Sequence, residues 1–185
     1  MSSDARAVGV VLAAGAGSRY GQPKVLAAEG YWLERAVAAL DRGGCDEVIV
    51  VLGAAGADAV EVPVPGRAVH APDWSDGLSA SLRAGLNAAA DAAWAVVHLV
   101  DTPDIGADVV RRVLDAARTG SSGLARAVYE GRPGHPVVIA HRHFPELLAG
   151  LHGDVGAGPF LRTRADVIAV ECADLATGAD IDEPG

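Results

Sequence analysis

The sequence predicts an α/β fold, a three-layer, mostly parallel sheet with helices on both faces, and three observations predict it. Short Val-rich runs alternate along the chain with segments whose apolar residues recur at helical spacing, the pattern of strand, crossover helix and strand. The runs are apolar throughout, as strands covered on both faces must be. Hydrophobic residues make up 50% of the chain but aromatics only 4%, a composition of Ala, Val and Leu that lets helices lie close on a sheet. A length of 185 residues fits one domain spanning residues 1–185.

Val8 to Ala14 is the first strand, ending at Gly15. Trp32, Leu33, Ala36, Val37 and Leu40 then fall at helical spacing, stopped by Gly43-Gly44. Val48 to Leu52 is a second strand closed by Gly53. Two prolines between Val60 and His70 leave room for only a short strand at Ala68 to His70. Leu78 to Ala90 is a helix, Ala95 to Val100 a strand ending at Asp101-Thr102-Pro103, and Ala107 to Ala117 a helix with Asp108 near its start. Leu124 to Tyr129 and Pro136 to Ala140 are strands flanking a Gly-Arg-Pro-Gly-His turn, expected as a small mixed β lobe near residues 124–140. Phe144 to Leu151 and Gly156 to Arg162 are short helices, and Val167 to Glu171 is a last strand before an acidic tail.

A net charge of −9, from 24 acidic and 15 basic residues, argues against nucleic acid and anionic membranes as partners. Cys45 and Cys172 have no metal-ligand spacing and suit buried thiols in a reducing compartment. His141 and His143 form a pair with no third ligand nearby, so they are expected as ordinary structural or surface residues. The N-terminus lacks the pattern of a secretory signal and no apolar stretch is long enough to span a bilayer, so a cytoplasmic protein is expected.

In parallel sheets ligands bind beyond the carboxyl ends of the strands, where Gly15, Gly53 and Asp101 all fall. The loop Leu12-Ala13-Ala14-Gly15-Ala16-Gly17-Ser18-Arg19-Tyr20-Gly21-Gln22-Pro23-Lys24 combines three glycines with an arginine and the chain's one lysine. Glycines let backbone N–H groups converge on an anion, and the two cations can neutralise phosphates. The spacing departs from the dinucleotide fingerprint, because three residues separate Gly17 from Gly21, and from the P-loop, because Lys24 follows Gln22-Pro23 and precedes Val25.

That loop resembles the signature of the MobA-like nucleotidyltransferases, in particular the molybdenum cofactor cytidylyltransferases. Asp76-Gly77-Leu78-Ser79-Ala80-Ser81-Leu82 is similar to the family's second nucleotide segment, and Leu99-Val100-Asp101-Thr102-Pro103 to its metal-binding strand end. Gly131-Arg132-Pro133-Gly134-His135-Pro136 and Gly153-Asp154-Val155-Gly156-Ala157 resemble acceptor-side loops, and Asp180-Ile181-Asp182-Glu183-Pro184 the closing segment. The resemblance implies a Rossmann-like, nucleotide-diphospho-sugar transferase-like sheet. It also implies a nucleoside triphosphate over Leu12, Ala13, Ala14, Gly15, Ala16, Gly17, Ser18 and Lys24, with Gly77 and Ser81 near the base or ribose. Ser79 and Ser81 could equally be hydroxyls satisfied by local backbone near a helix start. Lys24, Arg19 and Asp101 are the implied catalytic set; Mg²⁺ is the implied cofactor, held by Asp101 and Asp182 with Asp180 in reserve. Arg132, His135, Asp154 and Gly156 are the implied acceptor contacts.

The implied reaction moves a nucleoside monophosphate onto a phosphorylated small molecule of the molybdopterin type, with a molybdoenzyme as the downstream partner. A phosphate acceptor is already an oxyanion at neutral pH, so the chemistry calls for cations and positioning rather than a strong base. Leu-Ala-Ala-Gly and Ser-Ala-Ser-Leu resemble the CTP-using members more than the GTP-using ones. Three positions depart from the family: Tyr20 for a methionine, Gly158 for an arginine whose charge falls to Arg162 or Arg164, and Glu183 for a threonine. Two other functions fit an α/β sheet of this kind, a nucleotide-cofactor oxidoreductase and a non-catalytic module that delivers a cofactor.

Overall fold

The computed structural model describes residues 5–182. One seven-stranded sheet runs through it in the order β3-β2-β1-β4-β6-β5-β7, with β1 Ala7–Leu12, β2 Glu47–Leu52, β3 Gly66–His70, β4 Trp94–Leu99, β5 Leu124–Tyr129, β6 Arg132–Ala140 and β7 Ile168–Glu171. Neighbours pair in parallel except along β6, which is antiparallel to both β4 and β5. The hairpin expected as a small lobe is built into this sheet, because β6 pairs along its other edge with β4, from Trp94 opposite Ala140 to Val97 opposite Val137.

Helices cover both faces. α1 (Tyr31–Arg42) and α3 (Ala107–Thr119) bury Leu33, Leu40, Val110 and Leu114 against Ala7, Val11, Val48 and Val50. On the other face α2 (Leu78–Ala88), α4 (Phe144–Gly150) and α5 (Gly158–Arg162) bury Leu82, Leu86, Leu147 and Leu161 against Val8, Val10, Leu12 and Ile49. Alternate residues of β1 feed opposite cores, the period-2 geometry of a strand with no solvent face. Two glycines set the spacing of these layers. A Cβ on Gly9 would fall 2.8 Å from Leu40 Cδ1, and one on Gly85 would fall 2.5 Å from Val10 Cγ1. Cys45 and Cys172 are buried as free thiols in the first of the two cores.

The β5–β6 turn is tighter than its sequence suggests. Glu130 (φ 53°) and Gly131 (φ 76°) make a two-residue turn in the left-handed region, and Arg132 and Pro133 already pair with Tyr129 and Val128. The carboxylate of Glu171, at the end of β7, accepts the backbone N–H groups of Ala173, Glu130 and Gly131 at 2.9, 3.0 and 3.2 Å. It thus ties the hairpin to the start of the C-terminal segment.

From β7 the chain returns across the carboxyl ends of the strands as a strap. Thr177 donates its N–H and its hydroxyl to Asp104 Oδ2 at 2.7 and 2.6 Å, and Ile181 N–H donates to the Asp101 carbonyl at 3.0 Å. Gly178, at φ +66°, lies so close to the Tyr129 ring that no Cβ fits between them. The strap is held at three points before it reaches Asp182.

The hydrogen bonds to Glu171, that from Ala173 first, hold its carboxyl below its ordinary 4.5. A depressed folded pKa contributes stability that is present above the unfolded value and lost as pH falls through the folded one. Glu171→Gln is therefore expected to lower the urea midpoint at neutral pH, and the gap to the parent protein should close as the pH is taken below 4.5. A gap that persists unchanged at low pH would assign the loss to something other than this carboxylate's charge.

Candidate active site

The strand order places the loop after β1 between two flanks, with the ends of β2 and β3 on one side and those of β4, β6 and β5 on the other. A cavity of about 470 Å³ opens there, lined by Leu12, Ala13, Ala14, Gly15, Ala16, Gly17 and Lys24 from the loop, by Trp74, Ser75, Gly77, Leu78 and Ser81 around the start of α2, and by Leu99, Val100, Asp101 and Asp154. This is the rim where parallel sheets bind ligands.

The loop is held from both ends. Ala13 N–H donates to the Val51 carbonyl at 3.1 Å, Ala54 N–H to the Ala14 carbonyl at 3.0 Å, and Gly21 N–H to the Gly17 carbonyl at 2.9 Å. Gly17 has φ +62°, and a Cβ there would collide with the Gln22 carbonyl, so the loop needs glycine at that point. A Cβ at Gly15 would meet no protein atom within 4 Å. Gly15 and Ala16 are exposed and border the cavity, leaving open space over the backbone.

Pro23 leads into the turn that starts at Lys24, and the Lys24 ammonium lies between two carboxylates, 2.7 Å from Asp101 Oδ2 and 2.8 Å from Asp182 Oδ1. The Lys24 and Asp101 side chains are only 16% and 18% exposed, so this pair sits largely out of water. Burial pulls the ammonium's pKa down, but the hydrogen bonds to Asp101 and Asp182 outweigh it, and the value ends above the ordinary 10.5. The same hydrogen bond, with the nearby charge of Lys24, holds Asp182 below its ordinary 3.8, and the more distant Arg19 adds to this.

Asp180 completes the group. Ligand oxygens of Asp101, Asp180 and Asp182 all lie within 4.8 Å of one another. One ammonium against three carboxylates leaves two negative charges uncompensated, and Asp101 Oδ1 is buried with no hydrogen-bond partner. An all-oxygen donor set with a surplus of two charges and an unpaired buried oxygen fits a hard divalent cation such as Mg²⁺ or Mn²⁺.

Other residues singled out from the sequence fall in two places. Asp154 lines the cavity beside Gly77 and Ser81, because its loop leans on the start of α2: Ser79 N–H donates to the Gly153 carbonyl at 3.1 Å. Ser81 is buried, and Gly156 abuts Leu78. Arg132 and His135 lie on β6 and do not line the cavity; neither do the exposed Ser18 and Arg19. Burial, with Arg126 adding to it, pulls the His135 imidazole down to about 4, so it is neutral at ordinary pH. Tyr20 packs against Trp32 with ring centroids 5.2 Å apart. His143 bonds the Ser122 carbonyl at 2.8 Å, and His141 packs on Phe144. Glu183 and Pro184 lie outside the described residues.

Sequence reasoning passed over Trp74, which sits on Gly53 and walls the cavity on the β2 side. A tryptophan one residue ahead of Ser75-Asp76-Gly77, in a stretch with Pro72 and Asp73, was the available signal. It also passed over His98 on β4. That imidazole is 1% exposed with neither nitrogen bonded, and burial, followed by His135, lowers it to about 3.

Among the described residues no helix is long and apolar enough to cross a membrane. The chain is 39% identical over 188 residues to nicotine blue oxidoreductase of Paenarthrobacter nicotinovorans, with 94% of this chain and 91% of that one covered. It superposes on the crystal structure of Rv0371c from Mycobacterium tuberculosis H37Rv with a TM-score of 0.78 at 27% identity, covering 96% and 93% of the two chains. A crystal structure of the same protein in complex with manganese gives a TM-score of 0.68 at 25% identity, covering 95% and 94%. The profile of the MobA-like NTP transferase domain matches residues 9–167, from β1 to the threshold of β7, and this chain belongs to that family.

Proposed function

We propose that this protein is a divalent-metal-dependent nucleotidyltransferase that moves a nucleoside monophosphate, CMP in preference to GMP, from its triphosphate to a phosphorylated small acceptor of the molybdopterin type, releasing pyrophosphate. The observation that carries the proposal is the Lys24 ammonium held between Asp101 and Asp182 on the floor of a glycine-loop cavity. Family membership supports a triphosphate substrate, and Leu-Ala-Ala-Gly at the loop with Ser-Ala-Ser-Leu on α2 supports cytidine.

The loop backbone from Ala14 to Gly17 offers N–H groups to phosphate oxygens, with open space above Gly15 for them to enter. Ser81 lines the same cavity and offers a hydroxyl to a base or ribose, with Trp74 as an apolar wall, and Asp154, expected among the acceptor contacts, borders the same space. An oxygen of the acceptor's phosphate attacks the α-phosphorus, and the bond from the α-phosphorus to the bridging oxygen breaks, so that pyrophosphate carries the electron pair away. Asp101 and Asp182, with Asp180 beside them, would hold Mg²⁺, which supplies charge neutralisation on the phosphates when bound. The Lys24 ammonium adds a second, fixed positive charge next to the leaving group.

The oxidoreductase relative, at 39% identity, favours a second reading in which the cavity holds a nicotinamide dinucleotide through its pyrophosphate. The two differ in products. With Mg²⁺ and a phosphorylated pterin acceptor, CTP should yield pyrophosphate, detected by a coupled phosphate assay. NAD(P)H oxidation with nicotine blue, in the absence of pyrophosphate release from CTP or GTP, would overturn the transferase reading.

Lys24→Ala is expected to fold as the parent does, judged by circular dichroism, and to lose about 10²-fold or more in turnover. An unchanged rate would remove Lys24 from the chemistry. Asp101→Asn is expected to weaken Mn²⁺ binding, read directly from the free-ion signal in electron paramagnetic resonance without any substrate, by at least about tenfold. Equal binding by the two proteins would refute the metal assignment.

A further inference from the structure

The three carboxylates of the candidate metal centre stand on two segments of different kind. Asp101 belongs to the connection between β4 and α3, which is fixed by its own bonds. The buried Thr102 hydroxyl donates to the Leu99 carbonyl at 3.1 Å, Ile105 N–H to the Thr102 carbonyl at 3.2 Å, and Arg35 of α1 donates Nε–H to the Pro103 carbonyl at 3.2 Å. Ile105 anchors the same connection in the core under α1 and α3. Asp180 and Asp182 stand on the strap, which is neither helix nor strand there, and both are exposed. A carboxylate on such a segment gains its position only from bonds made elsewhere.

The β4–α3 connection grips the strap on either side of Asp180. Ahead of it, Asp104 Oδ2 accepts both the N–H and the hydroxyl of Thr177, at 2.7 and 2.6 Å. Behind it, the Asp101 carbonyl accepts Ile181 N–H at 3.0 Å. The Thr177 hydroxyl oxygen also accepts Ala179 N–H at 3.2 Å, so one side chain joins Asp104 to the backbone of the residue just before Asp180. Between these points Gly178 turns, at φ +66°, against the Tyr129 ring, and that ring is fixed by its hydroxyl's bond to the His135 carbonyl at 2.6 Å. The short connection that carries Asp101 therefore also locates the other two carboxylates.

We infer that Asp104 is a positioning residue for the metal centre, acting through Thr177 to hold Asp180 and Asp182 against Asp101. Asp104 is not one of the three carboxylates that converge there, and it does not line the cavity. The inference rests on the divalent-metal reading of that centre and adds to it the residue that prepares it. Three like charges push an untethered strap away, and recruiting it from solution would cost the freedom of each residue ordered. A strap tethered in advance presents its carboxylates with both costs already met, which appears as affinity for the cation. Outer partners that orient metal ligands act in this way.

The test measures Mn²⁺ binding, from the free-ion signal in electron paramagnetic resonance, for substitutions at two exposed positions. Asp104→Ala removes the tether and a negative charge, and should weaken binding about tenfold. Asp104→Asn removes the charge but keeps an acceptor oxygen, and should bind more tightly than Asp104→Ala. Thr177→Val keeps the charge of Asp104 and removes the hydroxyl, and should weaken binding about fivefold, the worth of one ordinary hydrogen bond. Thr177→Ser restores the hydroxyl and should bind as the parent does. In the transfer assay, excess Mg²⁺ should return the turnover of Thr177→Val to that of the parent, placing the change in metal affinity and not in kcat. Hydrogen exchange on the metal-free proteins supplies the second measurement: the amides of residues 179–182 should exchange about fivefold faster in Thr177→Val than in the parent, and at the parent's rate in Thr177→Ser.

Equal Mn²⁺ affinity and equal exchange in Thr177→Val and the parent would overturn the inference. Asp104→Asn as weak as Asp104→Ala would overturn it too, because the cause would then be charge and not position. Mn²⁺ bound no better by the parent than by Asp101→Asn would overturn the metal reading instead, and the exchange comparison, made without metal, would still decide whether Thr177 holds the strap.

Discussion

The site is organised by one contact, the Lys24 ammonium set between Asp101 and Asp182. These residues come from the loop after β1, the end of β4 and the C-terminal strap, so the contact exists only when three distant parts of the chain are in place. Two carboxylates brought this close repel, and the ammonium between them offsets that repulsion. The same arrangement keeps Asp101 Oδ1 free, because Lys24 occupies only the other oxygen. The centre is thus partly neutralised and still short of positive charge, a condition that favours a divalent cation bringing phosphates with it.

The sheet explains why that centre lies where it does. β1 and β4 are adjacent and parallel, so their carboxyl ends deliver the glycine loop and Asp101 side by side. The strap must then cross from β7, at the far edge, back over β5 and β6 to reach them. Its fastenings follow that route: Glu171 holds the β5–β6 turn, Gly178 passes the Tyr129 ring, Thr177 binds Asp104, and Ile181 binds the Asp101 carbonyl. Each of these is a local polar or steric fit, and together they aim an acidic segment that its own sequence would leave solvated.

Much of this was legible from residue patterns because its causes are local. The doubly buried strands announce themselves as unbroken apolar runs, and the α1, α2 and α3 periodicities follow from burying one helix stripe. The glycine loop was legible for a similar reason, since the positive φ at Gly17 and its close approach to Gln22 are conditions that glycine satisfies by residue type alone. The β5–β6 turn was misplaced by a few residues. Gly131-Arg132-Pro133-Gly134 has the composition of a loop, but pairing with Tyr129 and Val128 draws Arg132 and Pro133 into β6, and Glu171, forty residues away in the chain, stabilises the tighter turn. The placement of Asp154 beside Gly77 and the burial of Arg126 were not legible either. Both depend on which side of the sheet α5 packs, a tertiary choice with no mark in the short helix itself.

The family profile and the oxidoreductase relative point to different chemistries on one scaffold, and the physics of the cavity explains how that can be. A glycine loop with open space above it accepts a pyrophosphate linkage whether the far end is a leaving group or a nicotinamide nucleotide. What separates the two is the charge around the loop. Hydride transfer needs no surplus of carboxylates next to the phosphates, which would only repel them. Phosphoryl-group transfer needs that surplus, because it recruits a metal, and it benefits from a fixed cation at the leaving group. Asp101, Asp180, Asp182 and Lys24 supply that combination. For this chain the balance of charge therefore favours nucleotidyl transfer over redox chemistry.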